Sequence, residues 1–283
     1  DDADLATPAG PGLTGVVSRL RTVRRFDAGG SIAQLAEHVR AGRADDVLAM
    51  LGSGVEGIVF HPTDEPEHGA DTGLPGEAQA ALREQAAHEL EVVSAARAGD
   101  AVAALDALDR HRLLCAHRSG PRGVRFWGDQ LERRVAELDP TIAPRLDGHY
   151  AGQPLLVGSN DYENGLYNGD TGVVVARGAD GDELVAAFRR GGEPVLLPLV
   201  RLSDVRPMHA MTVHRAQGSQ FTEVTVLLPL AASPLATRQT FYTAITRASQ
   251  LVRVVGSEHA VRSCVERPAA RATGLRDRLL SGS

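Results

Sequence analysis

The chain has 283 residues, 43% of them apolar and 23% charged, the balance of a soluble globular protein with room for two compact units. A net charge of −6 argues against a generally basic nucleic-acid binder but leaves room for a local channel. No run of 18 apolar residues occurs, so no membrane span is expected.

The two cysteines, Cys115 and Cys264, stand far apart and in no C-x-x-C spacing. They argue for a reducing, cytoplasmic setting and against a metal site. The sequence begins Asp-Asp-Ala-Asp-Leu, without an initiator Met, a basic leader or an apolar stretch. It is expected to be an internal cut point of a longer protein rather than a signal peptide. All 30 basic residues are Arg. A GC-rich genome is the simplest cause. Any phosphate contact from a basic side chain must then use the planar guanidinium fork.

Residues 1–14 read as a linker. Val16–Phe26 suggests a strand that turns at Asp27-Ala-Gly-Gly30. Ser31 is a good N-cap for a helix over Ile32–Arg40, with Ile32, Leu35, Ala36 and Val39 on one face and Gly42 ending it. A short helix over Asp45–Leu51 and a strand over Gly57–Phe60 follow. His61–Gly76 reads as an acidic surface loop. Glu77–Ala98 is a long Ala/Glu-rich helix, and Asp100 caps the next one, to Asp109. Arg112–Arg118 is a buried strand running into a loop, and Val124–Leu138 is a helix with Trp127, Leu131, Val135 and Leu138 aligned. This alternation predicts a parallel sheet covered on both faces.

The pattern changes between Gly152 and Pro207. Pro154–Gly158, Thr171–Ala176, Glu183–Phe188 and Val195–Leu199 are short apolar runs. Asn168-Gly-Asp170 and Ala179-Asp-Gly181 are turn signals between them. They predict a small antiparallel barrel inserted in the α/β unit. Alternation then resumes, with a strand at Val224–Leu228, a helix over Arg238–Ala248, a strand at Leu251–Gly256 and mostly helix over Glu258–Leu280. The expected division is a linker at 1–14, an α/β unit over 15–150 and 207–283, and the insert at 151–206.

Five stretches carry a family resemblance. Met211-Thr-Val-His-Arg-Ala-Gln-Gly-Ser-Gln-Phe221 and Phe241-Tyr-Thr-Ala-Ile-Thr-Arg-Ala-Ser249 resemble the last two motifs of superfamily-one DNA helicases, in the form the RecD family carries. Leu20-Arg-Thr-Val-Arg-Arg-Phe26, continued by Gly30-Ser-Ile-Ala-Gln-Leu-Ala36, resembles the fourth motif, with Arg24 where an aromatic is usual. Leu114-Cys-Ala-His-Arg118 resembles a central strand of the second RecA-like domain. Leu166-Tyr-Asn-Gly-Asp-Thr-Gly172 resembles the entry to an SH3-like barrel.

The resemblance implies the second RecA-like domain of a 5′-to-3′ DNA helicase, with an inserted SH3-like antiparallel barrel. ATP would lie between this domain and a first one. The P-loop, G-x-x-x-x-G-K-[ST], is absent, and the chain has no Lys at all. The ligands for Mg²⁺ are therefore expected in an N-terminal half, and this chain alone is expected not to hydrolyse ATP. Implied partners are single-stranded and duplex-end DNA, with RecB- and RecC-type subunits of a helicase–nuclease acting in double-strand break repair and recombination.

Residue by residue, the resemblance gives Arg247 and Arg25 as contacts for the γ-phosphate, where an Arg offered from a second domain stabilises transition-state charge. Gly218 and Gln220 are the nucleotide-binding candidates. Gly218 suits a close approach or a turn. Gln220 stands where the family has Glu and accepts hydrogen bonds without charge. Thr212, His214 and Gln217 are the DNA-facing candidates, suited to contacts that position phosphates without reading sequence. Plain alternatives are a surface Arg at 247, a basic turn at 25, a turn glycine at 218 and a satisfied histidine at 214. Tyr162 and Tyr167 offer base stacking, but packing of the barrel or its mouth is the favoured expectation. The remaining histidines have no metal-ligand spacing. Two other readings stay open: a stand-alone or relaxase-linked helicase of the same type, and a non-enzymatic module that binds single-stranded DNA or a partner.

Overall fold

The structure is a computed structural model that describes residues 30–64, 76–142, 148–178, 181 and 183–269. The strand expected over Val16–Phe26, and Arg25 with it, lies outside these residues.

Among the described residues, five parallel strands form the first sheet: β1 (Ile58–Pro62), β2 (His111–Cys115), β8 (Met211–Thr212), β9 (Phe221–Leu227) and β10 (Ala248–Gly256). Their order is β1-β10-β9-β2-β8. The register lays Phe60, Val254, Val226, Leu114 and Met211 side by side across all five strands. This row faces four helices, α1 (Ser31–Arg40), α2 (Ala44–Gly52), α6 (Arg238–Ile245) and α7 (Glu258–Glu266). One residue further, the row of Val255, Leu227 and Cys115 faces α3 (Gly76–Arg97) and α5 (Val124–Leu138) instead. Successive side chains on a strand alternate between faces. Both faces are covered, so the central strands carry near-continuous apolar runs such as Val224-Thr-Val-Leu-Leu228.

The helices follow from local signals. Ile32, Leu35, Ala36 and Val39 all bury on one side of α1. The Asp100 side chain caps α4 (Ala101–Arg110) by accepting from the Ala103 amide at 2.9 Å. Ser31 is not a cap. Gly30 holds that position, and the Ser31 hydroxyl donates to the Glu56 carbonyl at 2.6 Å, tying the helix start to the turn before β1.

Other boundaries moved for visible reasons. β1 continues to Pro62 because it pairs with β10 as far as Gly256, which shortens the expected loop after it. α6 stops at Ile245 because Ala248 is already paired with Phe221. α7 ends at Glu266, where Arg267 turns extended ahead of Pro268, and the remainder of the helical stretch expected to Leu280 lies, from residue 270 on, outside the described residues.

The second sheet is antiparallel, ordered β6-β5-β4-β3-β7. Its strands are β3 (Pro154–Val157), β4 (Thr171–Arg177), β5 (Glu183–Arg190), β6 (Glu193–Pro198) and β7 (Val205–Pro207). Sequence reasoning missed β7, three residues holding an Arg and a Pro, because so short a run carries no alternation. Among the described residues no ladder joins the edge strands β6 and β7. One face of this sheet buries Leu155, Val157, Val174, Ala186 and Phe188 in a core of its own. The other packs Val173, Val175, Val185 and Ala187 on α3 and α4.

Gly152 marks the joint between α3 and this sheet. Its φ of +94° is left-handed, and a Cβ there would meet the Val93 Cα at 2.5 Å. Substitution Gly152→Ala combines that strain with a clash against helix backbone, and should cost about 2–4 kcal/mol. Urea unfolding monitored at Trp127 checks it. A midpoint equal to that of the unmodified chain would show that α3 yields there freely.

Candidate nucleic-acid and nucleotide-facing site

The segment from Thr212 to Phe221 joins two regions. Thr212, at the end of β8, is level with Leu227 at the end of β9, because both pair with Cys115. Phe221 begins β9. Six residues of strand separate those levels, about 20 Å at roughly 3.3 Å per residue. The chain crosses this span in a compact turn, with Ala216 N–H bonded to Thr212 C=O at 3.1 Å and Ser219 N–H to Ala216 C=O at 3.1 Å. Val213 and Ala216 anchor it in the core.

At the Phe221 end, Arg247 is the organising residue. It is 5% exposed. Its Nη1 donates to the Ser219 carbonyl at 2.9 Å, its Nε to Thr243 O at 3.1 Å and its Nη2 to Thr246 Oγ1 at 3.4 Å. The Phe221 amide returns a bond to the Arg247 carbonyl at 2.8 Å. The two motifs are thus one interlocked unit. Below them, the Arg112 guanidinium lies 4.8 Å from the Phe221 ring centroid, a cation–π contact.

Gly218 has φ +94°, and a Cβ built on it would meet nothing within 4 Å. Its requirement for glycine is conformational rather than one of crowding. Gln217, Gly218 and Gln220 are all exposed.

At the other end, the Thr212 hydroxyl accepts from the Arg215 amide at 3.3 Å, which starts the turn, and His214 is exposed. Thr212 and Arg215 line a groove of about 490 Å³ between the edge strand β8, the start of α5 and the edge strand β7. Among the described residues four arginines line it, Arg118, Arg125, Arg206 and Arg215, against two carboxylates, Asp129 and Glu132. Burial, then the like charges of Arg206 and Arg118, hold Arg215 below the usual arginine range, against the pull of Asp204. Its Nη1 is buried without a hydrogen-bond partner among the described residues. A cationic groove of this kind suits a phosphate backbone.

Sequence reasoning passed over these arginines, although Arg118 and Arg215 stand inside the quoted motifs. Their convergence depends on β2 and β8 being neighbours, and on the insert returning β7 beside them.

The groove also reaches His209, on the short link between β7 and β8. Its Nδ1 lies 2.7 Å from Glu89 Oε2 on α3, and its Nε2 is 3.4 Å from the Tyr150 hydroxyl and 3.8 Å from Glu132 Oε1 on α5. Burial opposes the charged ring, but the Glu89 carboxylate, with Glu132 and Asp129 behind it, prevails, and His209 titrates above the usual histidine range.

Tyr162 and Tyr167 do not pack the insert. They are 78% and 56% exposed, with ring centroids 6.4 Å apart at 83°. The turn that carries them is closed by hydrogen bonds of its own, so burying the rings was not needed to hold it.

The UvrD-like helicase C-terminal domain family matches residues 207–255. The chain is 47% identical over 263 residues to the RecBCD enzyme subunit RecD of Mycolicibacterium smegmatis, covering 93% of this chain and 44% of that protein. The match to the same subunit of Mycobacterium tuberculosis is also 47%, covering 94% and 43%. The chain therefore spans less than half the length of these relatives. A solved structure of Pif1 helicase from Bacteroides in complex with ADP-AlF3 and ssDNA is 13% identical with a TM-score of 0.48, covering 93% of this chain and 56% of that one.

Two outcomes test the site. Arg247→Ala removes three hydrogen bonds from a buried, interlocked turn, and should destabilise the chain by about 1–3 kcal/mol while exposing the Gln217–Gln220 turn to proteolysis. Unchanged stability and cleavage would refute the interlock. For His209, the folded state favours the protonated ring. Its contribution is present in full below a pH of about 6.5, the unfolded histidine value, and is lost as pH rises through the elevated folded value. Glu89→Gln should flatten that stretch of the stability–pH curve, and an unaltered curve would assign the effect elsewhere. At 47% identity over nearly its whole length, this chain belongs to the RecD family and corresponds to the C-terminal half of its members.

Proposed function

We propose that this chain is the C-terminal half of an ATP-dependent 5′-to-3′ DNA helicase, the RecD-type subunit of a RecBCD helicase–nuclease acting in double-strand break repair and recombination. Its partners are then single-stranded and duplex-end DNA with RecB- and RecC-type subunits, and its setting is cytoplasmic. The observation that carries this reading is the Thr212–Phe221 segment, which runs from an arginine-lined groove to the Arg247 carbonyl. One element in contact with both ends suits a motor that couples a nucleotide to a strand of DNA. Relatives bear the names RecBCD enzyme subunit RecD and, in Deinococcus radiodurans at 36% identity over 59% of this chain and 23% of that one, ATP-dependent RecD2 DNA helicase.

In this reading Arg247 is the finger, and Arg25 is a second contact. An exposed glycine turn with Gln220 beside it, next to a guanidinium, suits a ribose and phosphate group. Arg247 already donates to Ser219, Thr243 and Thr246, so in this reading closure against a first domain acts on a guanidinium whose plane is set in advance. The ligands of Mg²⁺ belong to that first domain, and the chain alone does not hydrolyse ATP. We read the second sheet, with its own core, as an SH3-like barrel. Residues 15–150 and 207–283 then form the RecA-like domain, with 151–206 inserted. The strand of DNA follows the groove past Thr212 and His214, with Gln217 linking the two ends.

Complementation decides between motor and passive module. Joined to an N-terminal half that carries a P-loop, the chain should give DNA-stimulated ATP hydrolysis, and Arg247→Ala should lower kcat by about 10³-fold with DNA affinity kept. Hydrolysis by the isolated chain, or full activity of the variant, would sink this reading. DNA binding with no hydrolysis in the joined protein would favour the module.

A further inference from the structure

The chain is poor in aromatics, with four Tyr, six Phe and one Trp in 283 residues. Every other described one is buried or half-buried, yet Tyr162 and Tyr167 stand exposed together. Two large rings left in water on one turn call for a partner that covers ring faces.

The turn is braced. The Asp161 carboxylate accepts from the Asn164 amide at 3.0 Å and from its side chain at 2.7 Å. Asp170 accepts from the Tyr167 amide at 2.8 Å, and Asn160 accepts from the Asn168 amide at 2.9 Å. The Asn160 side chain also donates to the Tyr162 hydroxyl at 3.2 Å. From outside the turn, Asn164 donates to the Arg201 carbonyl at 3.1 Å, and Arg190 donates to the carbonyls of Asn164 and Gly165. The backbone that carries the rings is set before any partner arrives, which lowers the ordering cost of binding.

Position adds the second argument. The turn leaves the end of β3 beside β7. Leu156 of β3 pairs with Arg206 of β7, and both line the arginine groove. Two residues on, the Gly158 amide donates to the Asp204 carbonyl, and the Tyr turn begins. Sequence-neutral sites for single strands combine a cationic groove that tracks the backbone with aromatic side chains that stack bases. Here the aromatic turn continues from the same β3–β7 pair that lines the groove.

We infer that Tyr162 and Tyr167 form a base-stacking platform for the single strand whose phosphates lie in the groove of Arg118, Arg206 and Arg215. This rests on the DNA-binding part of the function proposed above. No base edge is read, so the platform takes any sequence.

The test uses the 283-residue chain, with fluorescence anisotropy on a labelled oligothymidylate of roughly a dozen nucleotides and on an abasic oligomer of equal length. The double variant Tyr162→Ala/Tyr167→Ala should lose roughly tenfold or more in affinity for oligothymidylate and little on the abasic strand. The double variant to Phe should keep the unmodified affinity, which separates ring stacking from a disturbed turn. Arg206→Ala/Arg215→Ala should weaken both oligomers alike. Equal losses on both oligomers for the Tyr-to-Ala variant, or none on either, overturn the platform while leaving the groove intact. Failure of the unmodified chain to bind either oligomer overturns the DNA-binding reading and the platform together.

Discussion

The hydrogen bond from the Arg247 guanidinium to the Ser219 carbonyl, answered by the Phe221 amide on the Arg247 carbonyl, is the contact on which the functional end of this chain depends. It joins two segments that are distant in sequence and are each unable to hold their shape alone. The Gln217–Gln220 turn is exposed and contains a left-handed glycine. The stretch between α6 and β10 has only Thr246 and Arg247 to reverse direction. Hydrogen-bonded to each other, they form a fixed corner. A guanidinium suits this task because its planar fork presents several donors at once, where an ammonium would present a point charge.

Away from that corner, electrostatics are arranged by element edges. Short strands end the two sheets, β8 on one and β7 on the other; β7 brings Arg206 to the groove between them, and the turn that follows β8 brings Arg215. An overall acidic chain thereby carries a local cationic surface. The buried Glu89–His209 pair sits just beneath, on the link between the sheets. It fixes that link by a charged contact where apolar packing would leave two polar side chains unpaired.

Much of this was readable in the sequence. The helix over Val124–Leu138 and the buried row of Trp127, Leu131 and Val135 followed from 3.6-residue spacing. Asp100 announced its helix by its chemistry. The two motifs near the C-terminus could be paired as parts of one site from their resemblance alone. The rest depended on tertiary neighbours. Ser31 looked like a cap, but a carbonyl twenty-five residues away was a better partner. Arg206 sits in a three-residue strand that has meaning only through its ladder to β3. Tyr162 and Tyr167 looked like packing groups because large rings usually bury. Their exposure follows from polar bonds that no periodicity encodes.

Helix α3 has a consequence for how force travels. On one side Val93 belongs to the core under the parallel sheet, and on the other Val92 and Ala96 belong to the core under the antiparallel one. At 22 residues the helix is about 33 Å long, at roughly 1.5 Å per residue. It acts as a splint common to both layers. Any displacement of one sheet relative to the other has to be taken up in the packing against this one helix, at Val93 on one side and at Val92 and Ala96 on the other.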